Sequence, residues 1–189
     1  MSTETKITQR RQWLTQRDQT PPIRAEISAK ISDFLQSDGI LDAVDSIFIY
    51  SARAHEPDLK EIWLTHGRKC LYPRVDGDSL KFYAIENLSE LKPGFNRILE
   101  PPADPNLGPH PVGANDLVLV PGLAFDLFGG RLGSGMGYYD RFLSGHPKST
   151  RIWGVTHSSF LSNLRLAQEP SDVRMGAVIT EKGIYYVRS

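Results

Sequence analysis

Residues 117–143 read LVLVPGLAFDLFGGRLGSGMGYYDRFL, and this stretch decides the fold class. Leu117–Val120 is an unbroken apolar run, the pattern of a strand buried on both faces of a parallel sheet. Five glycines then crowd into nine residues, at Gly129, Gly130, Gly133, Gly135 and Gly137, and Tyr138–Leu143 then opens a helix. A strand, a glycine-rich loop and a helix form the repeating unit of open α/β sheets, which take ligands beyond the carboxyl ends of their strands.

The same alternation extends on both sides. Upstream, Thr20 and Pro21 suit a helix start, Ile23, Ile27, Ile31, Phe34 and Leu35 recur at helical spacing, and Gly39 stops the run. Ser46–Tyr50 reads as a short apolar strand. Leu59, Ile62 and Trp63 form the inner face of a second helix, closed by Gly67. Lys69–Tyr72 is a strand ending at Pro73. Asp76-Gly77 is a tight-turn signal, so Leu80–Ile85 pairs back antiparallel or lies at an edge. Residues 93–115, dense in Pro, Gly and Asn, read as a long surface loop. Downstream, Ile152–Val155 is a strand, Leu161–Leu166 a helical turn or two, and Ala177–Thr180 and Ile184–Val187 a closing hairpin. The expected fold is α/β, with a mainly parallel, Rossmann-like central sheet flanked by helices in three layers and a small antiparallel edge or hairpin. One domain is expected over residues 1–189, with residues 1–19, polar and charged, as an N-terminal arm or weak surface helix.

Glycines at the end of a buried strand let backbone N–H groups approach an anion, and a following helix adds positive partial charge. Arg131, inside the loop, can add a bidentate phosphate contact. The loop lacks the Gly-Lys-Ser/Thr ending of a Walker A motif, and Tyr138 occupies the third glycine position of the dinucleotide fingerprint. A glycine-rich turn without a ligand is the bland alternative. Asp140, on the first helical turn, reads equally as a complement to the helix dipole or as a Mg²⁺ ligand beside phosphates. Tyr138 and Tyr139 either stack on a flat ring or pack into the core.

Composition removes several classes of function. Across 189 residues, Lys plus Arg and Asp plus Glu each total 22, so the net charge is zero, which argues against a strongly basic nucleic-acid binder. A single cysteine, Cys70, excludes an intramolecular disulfide framework and a cysteine-based zinc cluster. It reads as a buried small hydrophobe. No apolar run approaches the roughly 20 residues of a membrane span, and the N-terminus lacks the apolar stretch of a signal peptide. A soluble protein of the cytoplasm is expected.

With its flanks, the glycine-rich segment resembles the signature of the 5-formyltetrahydrofolate cyclo-ligase family. Shorter pieces follow in the family's order along nearly the whole chain. They are Lys6 and Arg10, Arg17-Asp18 and Arg24, Glu56-Pro57-Asp58, Leu71-Tyr72-Pro73-Arg74-Val75, Ile98-Leu99-Glu100-Pro101, and Glu169-Pro170-Ser171-Asp172 followed by Ala177–Thr180. Three positions depart from the pattern. Phe160 stands where a glutamine is common, the Leu166-Ala167 region lacks a usual proline, and Gly176 replaces a frequent acid.

The resemblance implies conversion of 5-formyltetrahydrofolate to 5,10-methenyltetrahydrofolate with ATP as co-substrate and Mg²⁺ as cofactor. It implies that Lys6, Arg10, Arg131, Gly133, Ser134, Gly135, Met136, Gly137, Tyr138 and Tyr139 bind ATP. Ser51, Glu56, Tyr138 and Tyr139 would bind the folate, Asp140 and Asp172 the metal, and Arg131 and Asp140 would be catalytic. The expected partners are the folate, with or without extra glutamates, and ATP, with no nucleic acid and no membrane; a monomer or weak homodimer is expected. Two rivals stand beside this reading: a sugar-phosphate isomerase using the loop without ATP turnover, and a folate or nucleotide sensor that binds without catalysis.

Overall fold

The computed structural model describes residues 5–23, 25–103 and 108–187. In chain order the helices are α1 (Lys6–Gln19), α2 (Ala25–Ser37), α3 (Ile40–Ala43), α4 (Lys60–His66) and α5 (Tyr138–Leu143). The strands are β1 (Ile47–Phe48), β2 (Cys70–Asp76), β3 (Ser79–Ala84), β4 (Lys92–Pro93), β5 (Leu99–Glu100), β6 (Leu117–Pro121), β7 (Ala124–Asp126), β8 (Arg131–Leu132), β9 (Arg151–Val155), β10 (Leu161–Ser162), β11 (Ala177–Thr180) and β12 (Gly183–Tyr186).

Seven strands form the main sheet in the order β12-β11-β9-β6-β1-β2-β3. The five inner strands run parallel, and the edges β12 and β3 are antiparallel to their neighbours. Side chains alternate across the sheet, so β6 feeds two cores at once. Leu117 and Leu119 join Ile31 and Leu35 of α2 and Ile62 of α4 on one face. Val118 and Val120 join Phe82, Phe125 and Leu143 on the other. An α/β fold with helices on both faces is thus the observed architecture.

Several local expectations are corrected. Thr20 ends α1 rather than starting α2. Its hydroxyl donates to Gln16 O at 2.8 Å, and α2 begins at Ala25, while Arg24 lies outside the described residues. β2 passes through Pro73 to Asp76; β1 has ended opposite Leu71, so beyond it one side of β2 is an edge that tolerates a proline. The 93–115 segment carries β5, paired antiparallel with β4. Leu161 starts β10, paired parallel with β7, where a helical turn was expected; β7 supplies the backbone partners. Finally, the glycine-rich segment contains the antiparallel pair β7–β8, so it is a hairpin before it is a loop.

That hairpin lies against the sheet through one ring. Phe125 is fully buried, and a Cβ on Gly154 of β9 would fall 2.3 Å from it, a Cβ on Gly122 2.8 Å. Gly154→Ala therefore forces the ring or the hairpin to move. The expected loss is about 1–3 kcal/mol, typical of overpacking. At roughly 2–4 °C per kcal/mol for a chain this long, a thermal melt should fall by several degrees.

Candidate active site

A cavity of about 510 Å³ opens beyond the carboxyl ends of β1 and β6. Its wall is built by the segments after those strands, the far half of β2, the loop before β5, and α1. The predicted residues Lys6, Arg10, Ser51, Glu56, Arg131, Gly133 to Tyr139, Asp140 and Asp172 all line it.

Asp126 organises the glycine-rich wall. Its buried carboxylate accepts from Phe128 N at 2.7 Å, Gly130 N at 2.8 Å and Leu166 N at 2.7 Å. The turn so formed aims Arg131 at the cavity. The Arg131 side chain is 7% exposed, donates from Nη2 to Asp140 Oδ2 at 2.7 Å, and lies 5.7 Å from the Tyr139 ring centre. Its Nε is buried without a partner among the described residues. Gly135 and Gly137 have φ of +98° and +69°, left-handed backbone that a side chain would strain.

α1 is a docked helix, not a loose arm; residues 1–4 lie outside the described residues. Trp13 and Leu14 pack on Leu123, Leu132 and Leu166. Gln16 donates to Ser159 O, and Ala167 N donates to Gln9 Oε1. Docking brings Arg10 Nε within 3.0 Å of Gly133 O. It also half-buries Lys6, which meets Asp172 Oδ1 at 2.5 Å, the side chains being 13% and 6% exposed. Composition gave little sign of this contact, because α1 buries no residue fully and most of its anchors are polar.

The opposite wall is aromatic and acidic. Glu56 accepts from Arg53 N at 2.9 Å, and burial raises its carboxyl above the ordinary range. Burial likewise holds the Tyr50 and Tyr139 hydroxyls up; Tyr50 donates to Pro57 O. Ser51 Oγ donates to Leu99 O at 2.5 Å. Tyr138 meets Phe95 edge to face at 5.9 Å, with Arg141 over its ring. Cys70 is buried away from this wall, its thiol pushed up to about 12 by burial.

Sequence reasoning missed Arg17, Arg53, His55 and Phe95 as lining residues. They lie on loops and on a helix face that turn toward the cavity only in three dimensions. Glu100 did carry a signal, within Ile98–Pro101: buried, it accepts from Val75 N and Phe95 N and so holds two sides of the cavity together. Phe160, at the position of the expected glutamine, lines the cavity and packs beside Trp13, so the departure strengthens the seat of α1.

Asp140 and Asp172 are close along the fold: Val173 N, the next amide after Asp172, points at Asp140 Oδ1 from 3.5 Å. No group of three or more His, Cys, Asp or Glu side chains suited to a metal occurs among the described residues. Two carboxylates fit Mg²⁺ shared with phosphate oxygens, which is how that ion is usually held, and do not fit an all-protein cage.

A sequence profile described as the 5-formyltetrahydrofolate cyclo-ligase family matches residues 2–181. The chain belongs to that family. A 5-formyltetrahydrofolate cyclo-ligase of Mycolicibacterium smegmatis is 38% identical over 91 residues, 48% of this chain and 46% of the relative. The chain thus matches about half the length of that relative. An Escherichia coli K12 protein of the same name is 29% identical over 87% of this chain and 84% of its own. The NMR structure of Aquifex aeolicus 5,10-methenyltetrahydrofolate synthetase superposes with a TM-score of 0.78 at 28% identity, over 97% of this chain and 93% of that one.

Glu56 gives a pH test. Because its folded pKa is raised, the ionised form opposes folding. That cost is absent below the unfolded value near 4.3 and complete once pH has risen past the folded value. Glu56→Gln should therefore raise the melting temperature at pH 7 and leave it nearly unchanged at pH 4, as parallel melts in two buffers will read.

Proposed function

We propose that the chain cyclises 5-formyltetrahydrofolate to 5,10-methenyltetrahydrofolate, with MgATP consumed and ADP and phosphate released. The observation that carries this reading is the meeting of three basic side chains, Lys6, Arg10 and Arg131, with the carboxylates Asp140 and Asp172 beside a glycine-rich backbone, in one cavity whose far wall is aromatic. Membership of the family supports it.

The chemical difficulty lies in the N5-formyl group. It is an amide, and its oxygen leaves poorly. In the proposed sequence the formyl oxygen attacks the γ-phosphorus and the bond to ADP breaks, giving an iminium phosphate. N10 attacks the formyl carbon and gives up its proton. Phosphate then departs with the electrons of the C–O bond, leaving the methenyl cation. Phosphoryl transfer of this kind depends on positioning and on charge placed where it develops.

Each wall has a task in this scheme. Lys6, Arg10 and Arg131 bind the triphosphate together with the backbone of Gly133, Ser134, Gly135, Met136 and Gly137. Arg131 touches the transferred group. Its guanidinium is already fixed by Asp140 and Tyr139, so little reorganisation accompanies charge development. Asp140 and Asp172 would hold Mg²⁺, which supplies neutralising charge at the phosphates. Glu56 accepts from the pterin N–H and amino pair, a bidentate match. Ser51, Tyr138 and Tyr139 hold the rest of the folate. Leu14, Leu123 and Phe160 form an apolar wall that keeps water from the nucleotide.

Purified protein with 5-formyltetrahydrofolate and MgATP should develop the methenyl chromophore, with ADP formed in equal amount and both dependent on the metal. Binding of both substrates without product would refute the enzyme and favour a sensor. Arg10→Ala should raise the KM for ATP while leaving that for the folate nearly unchanged. A charged hydrogen bond is worth about 1.5–3 kcal/mol, so kcat/KM for ATP should fall roughly 10- to 150-fold.

A further inference from the structure

Two ion pairs face the cavity, and each joins a cation assigned above to phosphate with a carboxylate assigned above to the metal. Lys6 holds Asp172 at 2.5 Å, and Arg131 holds Asp140 at 2.7 Å. The remaining carboxylate oxygens face amides: Glu169 N donates to Asp172 Oδ2 at 2.8 Å, and Val173 N points at Asp140 Oδ1. Lys6 also reaches Glu169 Oε2 at 3.5 Å, so two cations and three carboxylates form one connected set, with the exposed Glu169 at its rim. We propose that these pairs exchange partners only when metal and nucleotide arrive together, so that the site admits the metal–nucleotide complex and rejects either component alone. The inference rests on the assignment of ATP and a divalent cation to this cavity.

The argument is one of stranded charge. A divalent cation entering alone must displace an ammonium and a guanidinium from their carboxylates, leaving the guanidinium unpaired and the ammonium with only the exposed Glu169, both beside a third positive centre. A triphosphate entering alone must pull the same two cations away and leave two carboxylates unpaired beside its own negative charge. Removing one partner of a buried pair is strongly unfavourable, because the other charge keeps its desolvation without its counterion. When both arrive, the cations pass to phosphate oxygens, the carboxylates to the metal, and nothing is stranded. Arg131 has capacity in reserve, since its Nε is buried without a partner among the described residues while Nη2 binds Asp140. The coupling must be reciprocal: whatever factor the nucleotide adds to metal affinity, the metal adds to nucleotide affinity.

The test needs no folate. Mn²⁺ binding to the full chain is followed by electron paramagnetic resonance, with and without a non-hydrolysable ATP analogue. Binding of metal-free ATP is followed by calorimetry in a chelator. Wild type should bind Mn²⁺ weakly alone and about 5- to 150-fold more tightly with the analogue, the usual span of such coupling. Lys6→Met frees Asp172, so Mn²⁺ alone should bind at least about 10-fold more tightly than to wild type, with the coupling diminished. Asp172→Asn frees Lys6, so metal-free ATP should bind more tightly than to wild type. The proposal is overturned if the analogue leaves wild-type Mn²⁺ affinity unchanged. It is equally overturned if Lys6→Met, shown folded by circular dichroism, gains no affinity for Mn²⁺, or if Asp172→Asn gains none for metal-free ATP. Intact coupling in a protein that never cyclises the folate would sink the proposed function and leave the exchange standing. Turnover without coupling would do the reverse.

Discussion

The carboxylate of Asp126 is the point on which the site turns. It is buried, carries no counterion among the described residues, and accepts three backbone N–H groups. Two of those donors close the turn from β7 to β8, and the third, Leu166 N, pins the segment after β10. Without that clamp, Gly129 and Gly130 would leave the hairpin among the most flexible parts of the chain. With it, Arg131 emerges in one direction and meets Asp140, nine residues on. The small sheet that results packs on the main one through Phe125, which fits because Gly122 and Gly154 offer it no Cβ. The cavity wall is therefore fixed by a polar clamp at one end of the hairpin and by a steric fit at the other.

The rest of the cavity is assembled from distant parts of the chain. Lys6 and Arg10 come from α1, Glu56 from the loop after β1, Glu100 from the end of β5, and Asp172 from the segment before β11. Charge balance differs between the two sides. Toward the glycines, cations and carboxylates neutralise one another. Toward Glu56, burial works against ionisation more strongly than Arg53 and Arg17 favour it, and Tyr50 and Tyr139 lie beside it. A polyanion suits the first environment and a flat heterocycle with N–H donors suits the second.

Much of this was legible in the sequence where the signal was local. Leu117–Val120, the Asp76-Gly77 turn and the closing hairpin rest on apolar runs and turn chemistry that act within a few residues. What could not be read depended on partners far away. Leu161 becomes a strand because β7 lies beside it, and Pro73 sits inside β2 because β1 stops short. Thr20 has the right chemistry for a helix start and spends its hydroxyl ending the previous helix. The charged α1 looks dispensable by composition, since its seat consists of two half-buried apolar side chains and a set of polar contacts. The motif order placed its basic residues in the cavity nonetheless. The value of Asp126 was invisible: nothing in FDLFGG says which N–H groups a carboxylate will collect.

The pairing of Lys6 with Asp172 spans 166 positions. During synthesis Asp172 is added 166 residues after the lysine. At typical elongation rates of about 5–20 residues per second, that interval is roughly 8–33 seconds. Throughout it, α1 has neither the ion pair nor the seat at Leu166 that holds it. A nascent chain can therefore lay down much of its sheet while the glycine-rich side of the cavity stays open. Elements so far apart that are each other's counterions complete the cavity late, and a chain terminated before Asp172 never closes it.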